Sequence, residues 1–179
     1  MGVFKRLLKR KVFGISLVLA VFVVGVYAAL IAPKINAAPI PVVSFTSVQS
    51  APFVNESFNF TARFDNTGDS VGYGPYIDFI VPEHVTVTSM THLGASVSFQ
   101  SVGVFPAGDP SCLTHPYSRG ISGALDQVCL TPNPGANVRL YTVKLPFGSF
   151  VDNQTAADIV VTASLDSAAP IGIQKTIRA

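Results

Sequence analysis

Two aspartates, three histidines and two cysteines are the residues of this chain whose types could do chemistry. Asp65 and Asp69 flank a glycine turn, Asp65-Asn66-Thr67-Gly68-Asp69-Ser70, and are weak candidates for a calcium site. Calcium takes about six to eight oxygen ligands, whereas this turn offers only two carboxylates together with Asn66 and Ser70. A capped hairpin turn is the favoured interpretation, and the sequence predicts no metal and no other cofactor.

The histidines do not form a recognisable catalytic motif. His84, His92 and His115 are scattered along the chain, and no Ser or Cys stands in a nucleophile motif such as G-x-S-x-G. The stretch Gly120-Ile121-Ser122-Gly123 has the wrong spacing for that motif. The sequence therefore predicts that the chain is not an enzyme. An exported hydrolase or ligand-binding domain, with its site at 106–135, remains the weakest alternative.

Cys112 and Cys129 are the only cysteines, and both lie in the stretch 106–135, where regular alternation is lost. This stretch is predicted to be a long loop that is either functional or cross-linked. Outside the cytoplasm such a pair is most often a disulfide, and closing this loop would stabilise the fold by about 3 kcal/mol. The alternative is a metal site with His115, but the paired spacing of zinc modules is missing.

The elements that would position these residues are centred on the stretch 58–87. Phe58, Phe60, Ala62 and Phe64 alternate with polar residues, which is typical of a strand that covers a core on one face. The turn residues 65–70 follow, and Tyr76 to Val81 is predicted to be the next strand, ended by Pro82. Asp78 lies on the face opposite to that of Ile77 and Phe79. We expect it to cap a turn or to face solvent.

A resemblance to a known family is carried by the same stretch. Asn66-Thr67-Gly68-Asp69, followed at 76–85 by the sequence Y-I-D-F-I-V-P-E-H-V, resembles the conserved repeat modules of unknown function in large bacterial and archaeal surface proteins. The resemblance implies an immunoglobulin-like β-sandwich that acts as a spacer or adhesion module. It implies no catalytic or ligand-binding residues. Such modules usually occur in tandem, whereas this chain contains one copy.

Further strands are predicted on both sides of this stretch. Before it lies Val42–Val48, and after it come 85–90, 95–105, 138–145, 157–165 and 171–177. Val97, Phe99 and Phe105 share one parity, as do Tyr141, Val143 and Leu145. Seven or eight short strands without a helix after residue 31 predict an all-β fold, a β-sandwich over 42–179. Alternation continues nearly to Ala179, which suggests either a closing strand or continuation into further modules.

The charge distribution separates the N-terminal end from the rest of the chain. Of the twelve Lys and Arg residues, five fall within residues 1–11, namely Lys5, Arg6, Lys9, Arg10 and Lys11. The remaining seven face ten Asp and Glu residues, so the part after residue 31 is weakly acidic. A nucleic-acid-binding domain would carry a basic cluster on its folded part. No nucleic-acid partner is therefore predicted.

Residues 12–31 form an uncharged apolar segment of twenty residues. As a helix this segment would be about 30 Å long, which matches the hydrocarbon core of a bilayer. The basic residues 1–11 would stay in the cytoplasm, and the following domain would lie outside the cell membrane, on the extracellular or periplasmic side. Residues 32–41, with three prolines, are predicted to be a semi-extended linker.

Two other interpretations of the N-terminal segment remain open. The first is a cleaved signal peptide, with possible cleavage sites at 26–28 and 35–37, which would release the domain as a secreted protein. The second is a pilin-like leader cleaved after Gly14, which would make the chain a filament subunit, although Leu19 replaces the usual Glu. The main expectation is a membrane-anchored structural or adhesion module of the cell surface. Its partners would be other surface proteins or further domains of the same protein.

Overall fold

The computed structural model describes residues 38–49, 51–120, 122–151 and 154–179. The predicted leader, the predicted anchor and most of the predicted linker lie outside the described residues. The described part contains strands and no helix. In chain order the strands are β1 Pro41–Val48, β2 Ser57–Asn66, β3 Gly72–Tyr73, β4 Tyr76–Val81, β5 Val85–His92, β6 Ala95–Ser96, β7 Phe99–Val104, β8 Ser111–Arg119, β9 Leu125–Leu130, β10 Arg139–Lys144, β11 Ser149–Phe150 and β12 Ala157–Leu165.

Two antiparallel sheets face each other across the main core. The first has five strands in the order β1-β2-β12-β5-β6, and the second has three in the order β4-β10-β7. The core between them is formed by the inward side chains of both sheets, among them Phe60, Ile159 and Val161 from the first and Phe79 and Val143 from the second. The all-β prediction is therefore confirmed, and the two main sheets lie as in a sandwich, but the described part has twelve strands rather than the predicted seven or eight.

β2 shows how the sequence pattern produces the fold. Its burial alternates along the whole strand, with Phe58, Phe60, Ala62 and Phe64 buried, as predicted. The ring of Phe60 packs edge-on against the ring of Phe79 from the opposite sheet, with centroids 5.8 Å apart. An aromatic side chain buried on this scale contributes much of the stability of a small core.

The prediction that β2 and β4 form a hairpin is wrong. The two strands belong to different sheets, and the connection between them contains β3, which pairs with β11. The physical reason is the length of the connection, because the nine residues 67–75 exceed the roughly two to five of a tight hairpin loop and let the chain cross to the other sheet. The apolar faces of β2 and β4 then meet across the core, where Phe60 packs on Phe79.

A third layer covers the outer face of the three-stranded sheet. β8 and β9 form an antiparallel hairpin, whose Leu113, Val128 and Leu130 pack on a second, smaller core around Phe105, Val138 and Leu140. β10 is consequently buried on both faces. The prediction of a long loop at 106–135 is wrong, because most of this stretch forms the hairpin. The strand could not be recognised in the sequence because its fully buried residues are Ser111 and His115 rather than a regular apolar series.

The expected strand 95–105 differs from the structure in two ways, and a β-bulge accounts for the second. First, the stretch is divided into β6 and β7, which lie in different sheets. Within β7 the register shifts between Leu140 and Tyr141 of β10, so that Val102 is an extra residue. Phe99 packs on the main core, whereas Phe105 reaches the second core on the other face. The shared parity of these two side chains was therefore misleading.

The predicted last strand at 171–177 does not form in the structure. Arg178 makes an isolated antiparallel bridge to Ile80, with backbone hydrogen bonds of 2.9 and 3.1 Å. The next pair along this ladder would place Thr176 opposite Pro82, which has no N–H to donate. Ile177 packs on the main core, while Ile171 is 92% exposed.

Candidate functional site

Asn66 organises the turn in which the aspartate candidates lie. Its buried amide nitrogen donates to the carbonyls of Ser70 at 2.7 Å and Phe150 at 3.2 Å. Its Oδ1 accepts hydrogen bonds from the backbone N–H groups of Ile40 at 3.0 Å and Gly68 at 3.2 Å. This single side chain therefore joins the segment before β1, the turn itself and β11.

Gly68 allows the segment before β1 to approach the turn. A Cβ at this position would lie 2.6 Å from both the carbonyl oxygen of Ala38 and the amide nitrogen of Ile40. Both contacts are with backbone atoms, which cannot move aside as a flexible side chain would. The Asn66-Thr67-Gly68 sequence is thus explained by the docking of the chain that enters β1.

The calcium candidates lie in this same turn. Asp65 uses its Oδ1 to accept the backbone N–H of Asn66 at 2.8 Å. The Asn66 oxygen, which calcium would need as a ligand, accepts two N–H donors instead. Among the residues that the structure describes, no group of three or more His, Cys, Asp or Glu side chains could hold a metal ion. In this arrangement the turn acts as a structural clamp.

Cys112 and Cys129 form a disulfide, as predicted. They lie directly opposite each other in β8 and β9, with Cα atoms 4.1 Å apart. Cys129 is on the exposed side of the hairpin, away from the second core. The bond therefore fixes the register of two strands that have few apolar residues to hold them.

The hairpin also brings together two residues that sequence analysis did not connect. His115 is 1% exposed, and its Nε2 lies 3.1 Å from Oδ1 of Asp78 on β4. The Nδ1 of His115 accepts the backbone N–H groups of Tyr117 at 3.0 Å and Ser118 at 2.6 Å. The proton of the neutral ring is consequently on Nε2, which donates to the Asp78 carboxylate.

Aromatic and polar neighbours complete the surroundings of His115. The ring of Tyr76 lies over the imidazole, with centroids 4.3 Å apart. Thr142 is directly opposite Asp78 in the ladder between β4 and β10, and it is fully buried. Its hydroxyl has no hydrogen-bond partner among the described residues. We refer to Asp78, His115 and Thr142 as the hairpin latch.

Sequence reasoning missed the latch because the sheet face carrying Asp78 was expected to be exposed. The prediction that Asp78 points away from the main core is correct, but the hairpin covers that face. The only signal in the sequence was the alternation of Ser111, Leu113 and His115 in β8, in which two of the three residues are polar. The partnership of His115 with Asp78 depends on tertiary packing across 37 positions of the chain.

His84 and His92 have separate partners. Nδ1 of His84 lies 3.0 Å from Asp166, and this hydrogen bond lowers the pKa of the Asp166 carboxyl. Nδ1 of His92 donates to the carbonyl of Asp158 at 2.9 Å. Among the described residues, neither histidine shares a partner with His115. No described Ser or Cys side chain bonds to any of the three rings. The described histidines are engaged in structural contacts.

An apolar groove of about 800 Å³ lies beside β1. It is lined by residues of β1, of the segment 49–54 and of the segment 169–177. Phe45, Val48 and Phe53 are exposed along it, and Lys175 is the only charged side chain among its described lining residues. We refer to it as the β1 groove.

Comparison with protein-family models, with curated proteins and with solved structures found no match to this chain. In the described part of the chain, no helix has the length and apolar character needed to cross a membrane. The segment 12–31, on which the predicted anchor depends, lies outside the described residues.

Proposed function

We propose that the chain is a membrane-anchored, extracytoplasmic module with an immunoglobulin-like fold, and that its role at the cell surface is structural or adhesive rather than enzymatic. Residues 12–31 would be the anchor, and residues 42–179 would be the displayed domain. Its partners would be other surface proteins or further domains of the same protein.

The observation that carries this proposal is the disulfide between Cys112 and Cys129 on the exposed side of the hairpin. Disulfides form and persist in oxidising compartments and are rare in the cytoplasm. The order of a basic leader, a long apolar segment and a domain with a disulfide is the order expected of an exported, tethered protein. The chemistry of the disulfide and the charge pattern thus support the same location.

Two face-to-face antiparallel sheets support the immunoglobulin-like assignment. The turn with Asn66 and Gly68 gives the resemblance to surface repeat modules a physical basis, because both residues hold the incoming chain on the domain. The engagement of His84, His92 and His115 in structural contacts supports a non-enzymatic role.

A filament subunit is the second candidate, and the β1 groove is the observation that favours it. An apolar groove beside an uncharged edge strand could accept a neighbouring subunit. Fractionation with mass measurement of the full chain separates the candidates. An intact N-terminus at Met1 in the membrane fraction supports the anchor, whereas cleavage after Gly14 with sedimenting fibres supports the filament. Soluble, secreted protein cleaved at 26–28 or 35–37 would contradict both.

A further inference from the structure

β1 is an edge strand that carries no charge between Pro41 and the bulge after Phe45. It is eight residues long, compared with six for the edge strands β4 and β7 of the opposing sheet and two for β6. Natural edge strands usually carry charged residues that prevent pairing with other chains. β1 contains none, and Val42, Phe45 and Val48 are all exposed on it.

The hydrogen-bonding direction of β1 follows from its ladder with β2. The Thr67 N–H donates to the Ile40 carbonyl at 3.0 Å, which extends this ladder by one pair. Hydrogen-bonded and non-hydrogen-bonded pairs alternate along an antiparallel ladder. Val42 and Ser44 therefore direct their backbone groups toward β2, whereas Val43 and Phe45 direct theirs toward the free edge. No other described strand lies along that edge.

We propose that β1 pairs antiparallel with β1 of a second copy of this chain about a twofold axis. In the favoured register Val43 lies opposite Phe45 of the second copy, and Ser44 lies opposite its own equivalent. A register centred on Val43 would place Phe45 opposite Pro41, which cannot donate a hydrogen bond. A register centred on Phe45 would run into the register shift between Phe45 and Ser47.

The occupant is a second copy because the edge is compatible with itself. A twofold interface brings identical surfaces together, so any charge on the strand would face a like charge nearby. The neutral residues Val42 to Phe45 have no such repulsion. Pairing would also cover the exposed part of Phe45 beside the β1 groove. This inference depends on the geometry of β1 and not on the cellular location. The pairing can therefore be absent while the proposed function is correct, and the pairing can be present while the proposed function is wrong.

Cross-linking of the full chain tests this register directly. Ser44 and its equivalent would form a non-hydrogen-bonded pair with Cα atoms about 4.5 Å apart. The chain already forms a disulfide across an opposed pair with Cα atoms 4.1 Å apart, Cys112 and Cys129. Ser44→Cys is therefore expected to give a covalent dimer under mild oxidation. Asn59→Cys is the matched control, because Asn59 is exposed on β2, which is not an edge strand.

A severalfold larger dimer fraction for Ser44→Cys than for Asn59→Cys supports the proposal, and equal fractions overturn it. Any association through the N-terminal segment would raise the dimer fraction of both variants equally, so it does not affect the difference between them. Circular dichroism of Ser44→Cys, a change at an exposed position, checks that the domain is folded, and a charge at the same position examines the pairing without a cross-link.

A charge provides a non-covalent test of the same pairing. Ser44→Glu would lie beside Arg63 of β2 within one copy, but opposite an identical Glu in the pair. We expect this variant to reduce the dimer fraction measured by sedimentation, while Thr61→Glu, on the neighbouring strand, leaves it unchanged. An equal dimer fraction in Ser44→Glu and in the parent chain would contradict pairing through β1.

Discussion

At the scale of single residues, the main core depends most on Phe60. Its side chain is 1% exposed and contacts the rings of Phe45, Phe58 and Phe79. Phe60→Asp would place a charge among these rings without a partner. We expect a loss of several kcal/mol, which is a large part of a total stability of about 5–15 kcal/mol, and an unfolded domain by circular dichroism.

Thr61→Asp is the matched control for this prediction. Thr61 is the next residue of β2 and points to the other face of the sheet, where Arg63 and Asp158 are exposed. A charge there remains in contact with water, so the variant should melt close to the parent. Equal melting temperatures of the two variants would mean that the faces of β2 are assigned wrongly.

We expect opposite effects on stability from substitutions at two residues of the hairpin latch, His115 and Thr142. His115→Ala leaves two backbone N–H groups and the partly exposed Asp78 carboxylate without their partner, and a buried polar group left unsatisfied costs about 1–3 kcal/mol. Thr142→Val removes a buried hydroxyl that has no hydrogen-bond partner among the described residues, and it keeps the shape of the side chain. Denaturant unfolding should show a clear loss of stability for His115→Ala and an unchanged or higher stability for Thr142→Val. A large loss in Thr142→Val would indicate an interaction that this account lacks.

The exposed ion pair between Arg63 and Asp158 adds a pH dependence. Two hydrogen bonds of 2.7 and 2.8 Å from Arg63 hold the pKa of the Asp158 carboxyl below its ordinary value of 3.8. A carboxyl with a lowered folded-state pKa contributes stability above the unfolded-state pKa and loses it as the pH falls through the folded-state value.

The corresponding experiment compares Arg63→Gln with the parent across pH. The melting temperature of the variant should be slightly lower at neutral pH, and the difference should shrink as the pH falls below about 3.8. Arg119→Gln is the control, because Arg119 bonds to a backbone carbonyl rather than to a carboxylate. A difference that grows on acidification would contradict the assigned direction of the Asp158 pKa.

At the scale of elements, the hairpin β8–β9 has its own small core and its own cross-link. Replacing Cys112 and Cys129 together by Ser should lower the free energy of unfolding of the hairpin by about 3 kcal/mol on the chain-entropy model. The amides of 111–130 should then exchange faster with solvent, while those of β2 stay protected, because the main core has no contact with the disulfide. Faster exchange in β2 would show that the two cores unfold as one unit.

The exposed strand β1 and the strands with an apolar inner face could be predicted from the sequence, whereas β8 and β9 could not. β2 and β12 show a clear period of two, because Phe60 and Ile159 face a dry core. β8 buries Ser111 and His115, and its ladder with β9 is irregular between Thr114 and Arg119. Its alternation is polar, and apolar periodicity cannot detect it.

The disulfide could be predicted without the fold, whereas the latch could not. An export-like leader places the two cysteines in an oxidising compartment, and this alone predicts that they form a disulfide. Asp78 meets His115 only because a hairpin folds over a sheet face that the sequence marks as polar. In the same way, the role of Asn66 in holding Ile40 depends on a long-range backbone contact that no local pattern encodes.

At the scale of the whole molecule, the folded sandwich follows an N-terminal segment that the sequence predicts to be a membrane tether. Five basic residues lie directly before the apolar segment 12–31, as expected if the leader stays on the cytoplasmic side of a membrane. If β1 pairs between copies, tethering to one membrane would favour this pairing, since confinement raises the effective concentration. Location is therefore the claim on which the functional account depends.

The most direct test of this claim is the reaction of single cysteines with a membrane-impermeant maleimide, in intact cells of a host with one membrane. The native cysteines are paired, so an added cysteine provides the reactive thiol. Leu93→Cys, at a position 92% exposed, should react in intact cells, whereas Gly2→Cys should react only after lysis. Protection of Leu93→Cys until the cells are opened would contradict the account.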